Sequence, residues 1–133
     1  MTVGIADTGL VVAYLNPRDR YHAWAVGQFK RRPSFVTCEP VLAEAAHLVG
    51  GAGPVVGLVE SGALRLGYHL AGDEVALSAL LAKYADVPMD LADACLVRLA
   101  ERHARCEVVT VDGDFFVYRR HGAEAIPVAH PDA

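Results

Sequence analysis

The chain has 133 residues, of which 53% are hydrophobic and 21% charged, with a formal net charge of −4. That length makes one domain with chain enough for a core; the acidic balance argues against a binder working through a broad basic face, and no apolar run is long enough to span a bilayer. No basic-then-apolar leader opens the sequence, so a cytoplasmic protein is expected. Cys38, Cys95 and Cys106 lie far apart with no C-x-x-C. They suggest neither a zinc site nor a disulfide framework, and read as small buried apolar residues.

In chain order, TVGIA (2–6) is an apolar run that stops at Asp7 and predicts a strand. TGLVVAYL (8–15) predicts a helix ended by Asn16-Pro17, and RYHAWAVGQFKR (20–31) a second one. SFVT (34–37) predicts a strand, and PVLAEAAHLV (40–49) a helix with proline at its start and Gly50-Gly51 past its end. GPVVGLVES (53–61) predicts a short helix, ALRLGYH (63–69) a strand, and DEVALSALLAKYA (73–85) a helix with acids in its first turn. DLADACLVRLAERHA (90–104) carries the clearest helical pattern. EVVTV (107–111) and AIPVA (125–129) predict the last two strands. Strands separated by helices imply an α/β domain with a parallel central sheet flanked by helices.

In such sheets ligands bind beyond the carboxyl ends of the strands. Asp7 ends the first strand, and Asp112 and Asp114 follow the run VVTV. Two further acids sit at unexpected places. Val41, Glu44, Ala45 and Leu48 share one helical face by i, i+3, i+4, i+7 spacing, and Glu44 is its one charged member. An acid on such a face is costly unless it is paired, binds a cation, or reaches out from the margin of the stripe. Asp93 leads the stripe Leu96, Val97, Ala100, with Asp90 placed as an N-cap and Asp93 as the third helical residue. Carboxylates converging without Lys or Arg would repel one another, and Mg²⁺ or Mn²⁺, with their preference for oxygen ligands, would relieve that. Metal held by carboxylates is equipment for phosphodiester hydrolysis.

Asp7-Thr8 after the first strand, Glu44 within PVLAEAAHLV, Asp93-Ala94 in LADACLVRLAE, and TVDGDF after a late strand resemble the PIN-domain nucleases, VapC-type toxins most of all. The opening DTGLVVAYLNPRDRYHAWA is similar to that family's usual start, and the resemblance spans nearly all of residues 1–133. It implies a PIN-like domain and a metal-dependent endoribonuclease with the acidic quartet Asp7, Glu44, Asp93 and Asp112. Asp7, Asp93 and Asp112 would hold Mg²⁺ or Mn²⁺, Glu44 would orient the attacking water, and Asp114, Thr8 and Thr110 would support them. It further implies an RNA substrate, a homodimer, and a small antitoxin partner. Gly113 departs from the pattern, standing where the family often has a basic residue.

Other chemistries fit less well. GGAGPVVG (50–57) lacks the Gly-Lys-Ser/Thr of a phosphate loop, there is no G-x-S-x-G, and the six histidines form no H-x-x-x-H pair. A receiver-like phosphoacceptor domain would need a lysine ending a late strand, and the two lysines are Lys30 and Lys83. A PIN fold that binds RNA or protein without cutting is the other alternative. The clusters Lys30-Arg31-Arg32, Arg98/Arg102/Arg105 and Arg119-Arg120 read as solvated faces.

Overall fold

The apolar runs become strands whose burial follows their place in the sheet. The computed structural model describes all of residues 1–133. β1 (Val3–Ala6), β2 (Phe35–Cys38) and β4 (Cys106–Val109) are buried along almost their whole length. Central parallel strands are covered on both faces, so they read as continuous apolar runs. β3 (Leu64–Tyr68) lies at an edge and is buried only at its two ends. Together with β7 (Val128–Ala129) these strands form a five-stranded, wholly parallel sheet in the order β3-β2-β1-β4-β7. β5 (Arg119–Arg120) and β6 (Glu124–Ala125) make a separate antiparallel pair.

Six helices flank the sheet: α1 (Thr8–Leu15), α2 (His22–Arg31), α3 (Glu39–Val49), α4 (Gly53–Glu60), α5 (Glu74–Lys83) and α6 (Leu91–Glu101). α3 carries Pro40 in its first turn, where the missing N–H costs nothing, and stops at Gly50, whose φ of 83° suits a residue without Cβ. α6 starts on Asp90, whose side chain accepts from the Asp93 N–H. It is the central helix: Ala92 to Val97, Leu99 and Ala100 are all buried, and it touches β1, β2, β3 and β4. No helix is long and apolar enough to cross a membrane.

The predicted strand over 125–129 is in fact two short pieces. Glu124–Ala125 pairs with β5 and Val128–Ala129 with β4. Pro127 between them has no N–H to donate, but its carbonyl accepts from Val108 N at 2.8 Å. The strand predicted over 107–111 stops at Val109; Thr110 N still donates to the Ala129 carbonyl at 3.0 Å, and beyond it side chains take over the backbone groups. Thr110 Oγ1 accepts from Asp112 N at 2.9 Å, and a His130 ring nitrogen lies 3.1 Å from the Val111 carbonyl. The second helix begins at His22 rather than at residue 20, since the Asp19 carboxylate accepts from Tyr21 N at 2.9 Å in a turn.

The connectivity singles out one place. From β1 the chain moves outward to β2 and β3 on one side, and returns to β4 on the other side of β1. The strand order therefore reverses between β1 and β4, and the crevice for ligands lies beyond the carboxyl ends of those two strands.

Candidate functional site

Asp7 stands at the end of β1 and is also the N-cap of α1. The register sets Ala6 against Val109, so Asp7 faces Thr110 across the crevice. Its carboxylate accepts from Thr8 N at 2.8 Å and from the Thr110 hydroxyl at 2.6 Å. Two hydrogen bonds and a helix start favour the anion. Burial outweighs them: Asp7 is 5% exposed, and its pKa is pushed up to about 6, by desolvation first and then by the charges of Asp112 and Glu44.

Asp93 is 7% exposed on the first turn of α6. It does not cap the helix, which Asp90 does; its own carboxylate accepts from the Tyr118 hydroxyl at 2.9 Å. Its pKa is pushed up to about 7, by burial first and then by the charge of Asp90, with Asp7 adding to the rise. Asp112 caps the 3₁₀ turn Gly113–Phe116, accepting from Asp114 N at 3.0 Å, and Thr110 holds its N–H. Asp114 is raised by burial and by Asp112. The acids thus feel one another from four elements: the ends of β1 and β4, the start of α6, and α3.

Glu44 is placed differently from the expectation. The inward stripe of α3 is Val41 and Ala45, while Glu44 and Leu48 fall on the exposed side, Leu48 at 60%. The four-residue stripe was therefore one step too wide. Glu44 lies at the solvent margin of the crevice, with its charge close enough to act on Asp7.

Four acids elsewhere are held by arginines. Asp73 pairs with Arg98 at 2.8 Å and is held down at about 2. Glu101, Glu107 and Glu124 also have arginine partners. Asp7, Glu44, Asp93, Asp112 and Asp114 have none among the ion pairs of the molecule. Neither lysine serves them: Lys83 Nζ bonds the Gly122 carbonyl, and Lys30 is in the last turn of α2. Thr8 Oγ1 is buried next to Asp7 with no hydrogen-bond partner in the protein. All-oxygen donors, uncompensated charge and an orphaned hydroxyl fit a hard divalent cation. No three of these side chains form a ready-made cage. Mg²⁺ does not require one, since it keeps several waters and takes one or two carboxylates plus substrate phosphate oxygens.

Two contributors had no signal in the sequence. Tyr118, fully buried, is tied to Asp93 across 25 residues of chain. Gly9 lies in the first turn of α1, where an added Cβ would sit 2.3 Å from Val111 Cγ2. Val111 is β-branched and cannot swing aside cheaply. Gly9→Ala is therefore expected to push α1 away from the turn that carries Asp112, lowering stability by about 1–3 kcal/mol. Chemical denaturation of the variant checks this; a midpoint equal to wild type would show that the turn yields freely.

No family model matches the chain, and no curated protein matches it in sequence.

Proposed function

We propose that this protein is a metal-dependent endoribonuclease of the PIN type, acting as the toxin of a type II toxin–antitoxin pair. The observation that carries the reading is the pair Asp7 and Asp93, buried at the switch point of a parallel sheet, raised in pKa, and without a basic partner. Asp73, Glu101, Glu107 and Glu124 have arginine partners; Asp7 and Asp93, the two acids that are buried, do not. The resemblance of Asp7-Thr8, Glu44, Asp93-Ala94 and TVDGDF to the PIN nucleases supplies the reaction class.

Asp7, Asp93 and Asp112 are the residues that would hold Mg²⁺ or Mn²⁺. Such an ion supplies charge neutralisation at the scissile phosphate and an acidified water. Thr110 fixes the Asp7 carboxylate and the Asp112 turn together, and Tyr118 fixes Asp93. Glu44, at the open rim, orients the attacking water and accepts its proton. The water oxygen forms a bond to phosphorus as the bond to the 3′ oxygen breaks, and that oxygen takes up a proton. The products carry 5′-phosphate and 3′-hydroxyl ends. Exposed Leu48 on α3 and Val56 on α4 supply apolar surface for a homodimer.

Purified protein is expected to cleave RNA in Mg²⁺ or Mn²⁺ and to stop in EDTA. Sequencing of the ends should find 5′-phosphates. Cleavage that continues in EDTA would overturn the metal mechanism. A protein that binds RNA but leaves it whole in either metal would point to a non-cutting PIN-type module, the reading that an exposed Glu44 and the lack of a preformed cage would then favour.

A further inference from the structure

The amino-terminal edge of the sheet, opposite the acids, carries a different chemistry. β1, β2 and β3 run parallel, so the residues that open them gather on that edge with the end of α2. Gly4, Arg31, Arg32, Ser34 and Arg65 line a cleft of about 220 Å³ there. Of its three guanidinium groups only that of Arg32 has a carboxylate partner, Glu107. Arg32 is locked in place: it lies 5.7 Å from the centre of the Phe35 ring, and a Cβ on Gly4 would come within 2.7 Å of its Nη1. Arg65 Nε donates to Ser34 Oγ at 3.0 Å, which orients the guanidinium and leaves both terminal amino groups without a protein partner. Arg31 is exposed and has no ion-pair partner. Placement at a helix carboxyl end accounts for Arg31. It does not account for Arg65, which comes from a strand.

The geometry points to a binding site for a phosphate group in this cleft, held by Arg31 and the pre-oriented fork of Arg65, with Ser34 and Arg32 behind them. Guanidinium forks match phosphate oxygens in pairs. The volume is below the roughly 300 Å³ at which pockets for whole small molecules begin, so the cleft suits one phosphate group. Strands of four or five residues, at ~3.3 Å each, set the two edges about 13–17 Å apart. That exceeds the ~8–10 Å screening length of physiological salt. At that distance the acids repel an anion bound here only weakly, and the phosphate held here is not one they could cleave.

The test is an ¹⁵N NMR titration of the full chain in EDTA with inorganic phosphate, at ionic strength held constant with chloride. The Arg65 Nε–Hε and Ser34 amide signals are expected to shift saturably. The double variant Arg31→Gln/Arg65→Gln should bind roughly tenfold or more weakly, the loss expected for a charged hydrogen bond or two. Both side chains are exposed, so the rest of its spectrum should match wild type. Asp93→Asn should keep the full response, so that a failed nuclease assignment and a failed phosphate site give different results. Parallel titrations with a short RNA carrying a 5′-phosphate and with its 5′-hydroxyl twin separate the sources. Tighter binding of the phosphorylated RNA than of either inorganic phosphate or its twin identifies an RNA end; no gain over inorganic phosphate identifies a small free phosphate compound. Shifts reproduced by chloride alone, or unchanged in the double variant, would overturn the site.

Discussion

Asp93→Asn is expected to melt higher than wild type in EDTA at pH 8, and to lose RNA cleavage altogether. The two effects have one cause. Asp93 is buried beside Asp90 and within reach of Asp7, and its pKa stands at about 7, against roughly 3.9 for an unfolded aspartate. Between those values the folded protein holds a proton that the unfolded chain has released. The contribution of Asp93 to the stability of the metal-free protein is therefore greatest below about pH 4, falls as pH rises through that window, and levels off above about pH 7. At ~1.4 kcal/mol per pKa unit the loss is on the order of 4 kcal/mol, an upper bound because Asp7 and Asp93 share their repulsion. Asparagine removes the charge and keeps an oxygen for the Tyr118 hydroxyl. The helix start is untouched, because the Asp90 carboxylate accepts from the backbone N–H of residue 93, which asparagine keeps. The variant should gain roughly 5–10 °C at pH 8 and close to nothing at pH 4. Mg²⁺ should raise the melting temperature of wild type by binding the folded state alone, and should leave the variant where it is. Thermal melts of both proteins at the two pH values, each with EDTA and with Mg²⁺, check this. A variant that melts lower at pH 8, with equal metal increments in both proteins, would show that Asp93 is an ordinary helix residue.

Much of this site is legible in the sequence, for a simple reason. Central parallel strands are apolar throughout, so the first acid after such a run marks the carboxyl edge of the sheet. Asp7 after VGIA and Asp112 after VVTV show it. Helical spacing is a coarser guide. On α3 it placed Glu44 with Val41, Ala45 and Leu48, but the helix rests on Val41 and Ala45, with Leu42, Ala46 and Val49 packed alongside, and Glu44 and Leu48 turn outward. A period of 3.6 residues leaves about one residue of freedom in which flank faces the core, and tertiary contacts decide it. The strand over 125–129 was misread for a local reason: Pro127 cannot donate to a ladder, and the chain changes sheets around it. The tie between Tyr118 and Asp93 has no signature at all, because its two ends meet only once α6 and the 3₁₀ turn are packed.

Thr110→Val should damage the protein more at pH 8 than at pH 5, and should shift the acid limb of its cleavage profile to higher pH. Thr110 is fully buried and holds two acids at once, donating to Asp7 Oδ2 at 2.6 Å and accepting from Asp112 N at 2.9 Å. Valine is close in shape, so no cavity opens. It strands the Asp112 N–H, and it removes the strongest hydrogen bond holding the Asp7 anion. A bond to a charged group contributes about 1.5–3 kcal/mol, and an unsatisfied buried donor costs about 1–3 kcal/mol. The loss at pH 8 is thus roughly 2.5–6 kcal/mol. At pH 5 Asp7 is mostly protonated already, since its pKa stands at about 6, and the bond forfeited there is an ordinary neutral one of about 1 kcal/mol. The Thr110 hydroxyl is the largest influence lowering the Asp7 pKa, so without it Asp7 moves above 6 and is less often a carboxylate at neutral pH. At a fixed, subsaturating Mg²⁺ concentration cleavage should fall most at the acid end of the profile and recover in part toward its alkaline end, and Thr110→Ser, which restores the hydroxyl, should bring both stability and profile back toward wild type. Denaturation midpoints at the two pH values, set beside pH–rate profiles of the three proteins, decide the matter. Equal destabilisation at pH 5 and pH 8 with an unmoved profile would mean that Thr110 packs the crevice without tuning Asp7.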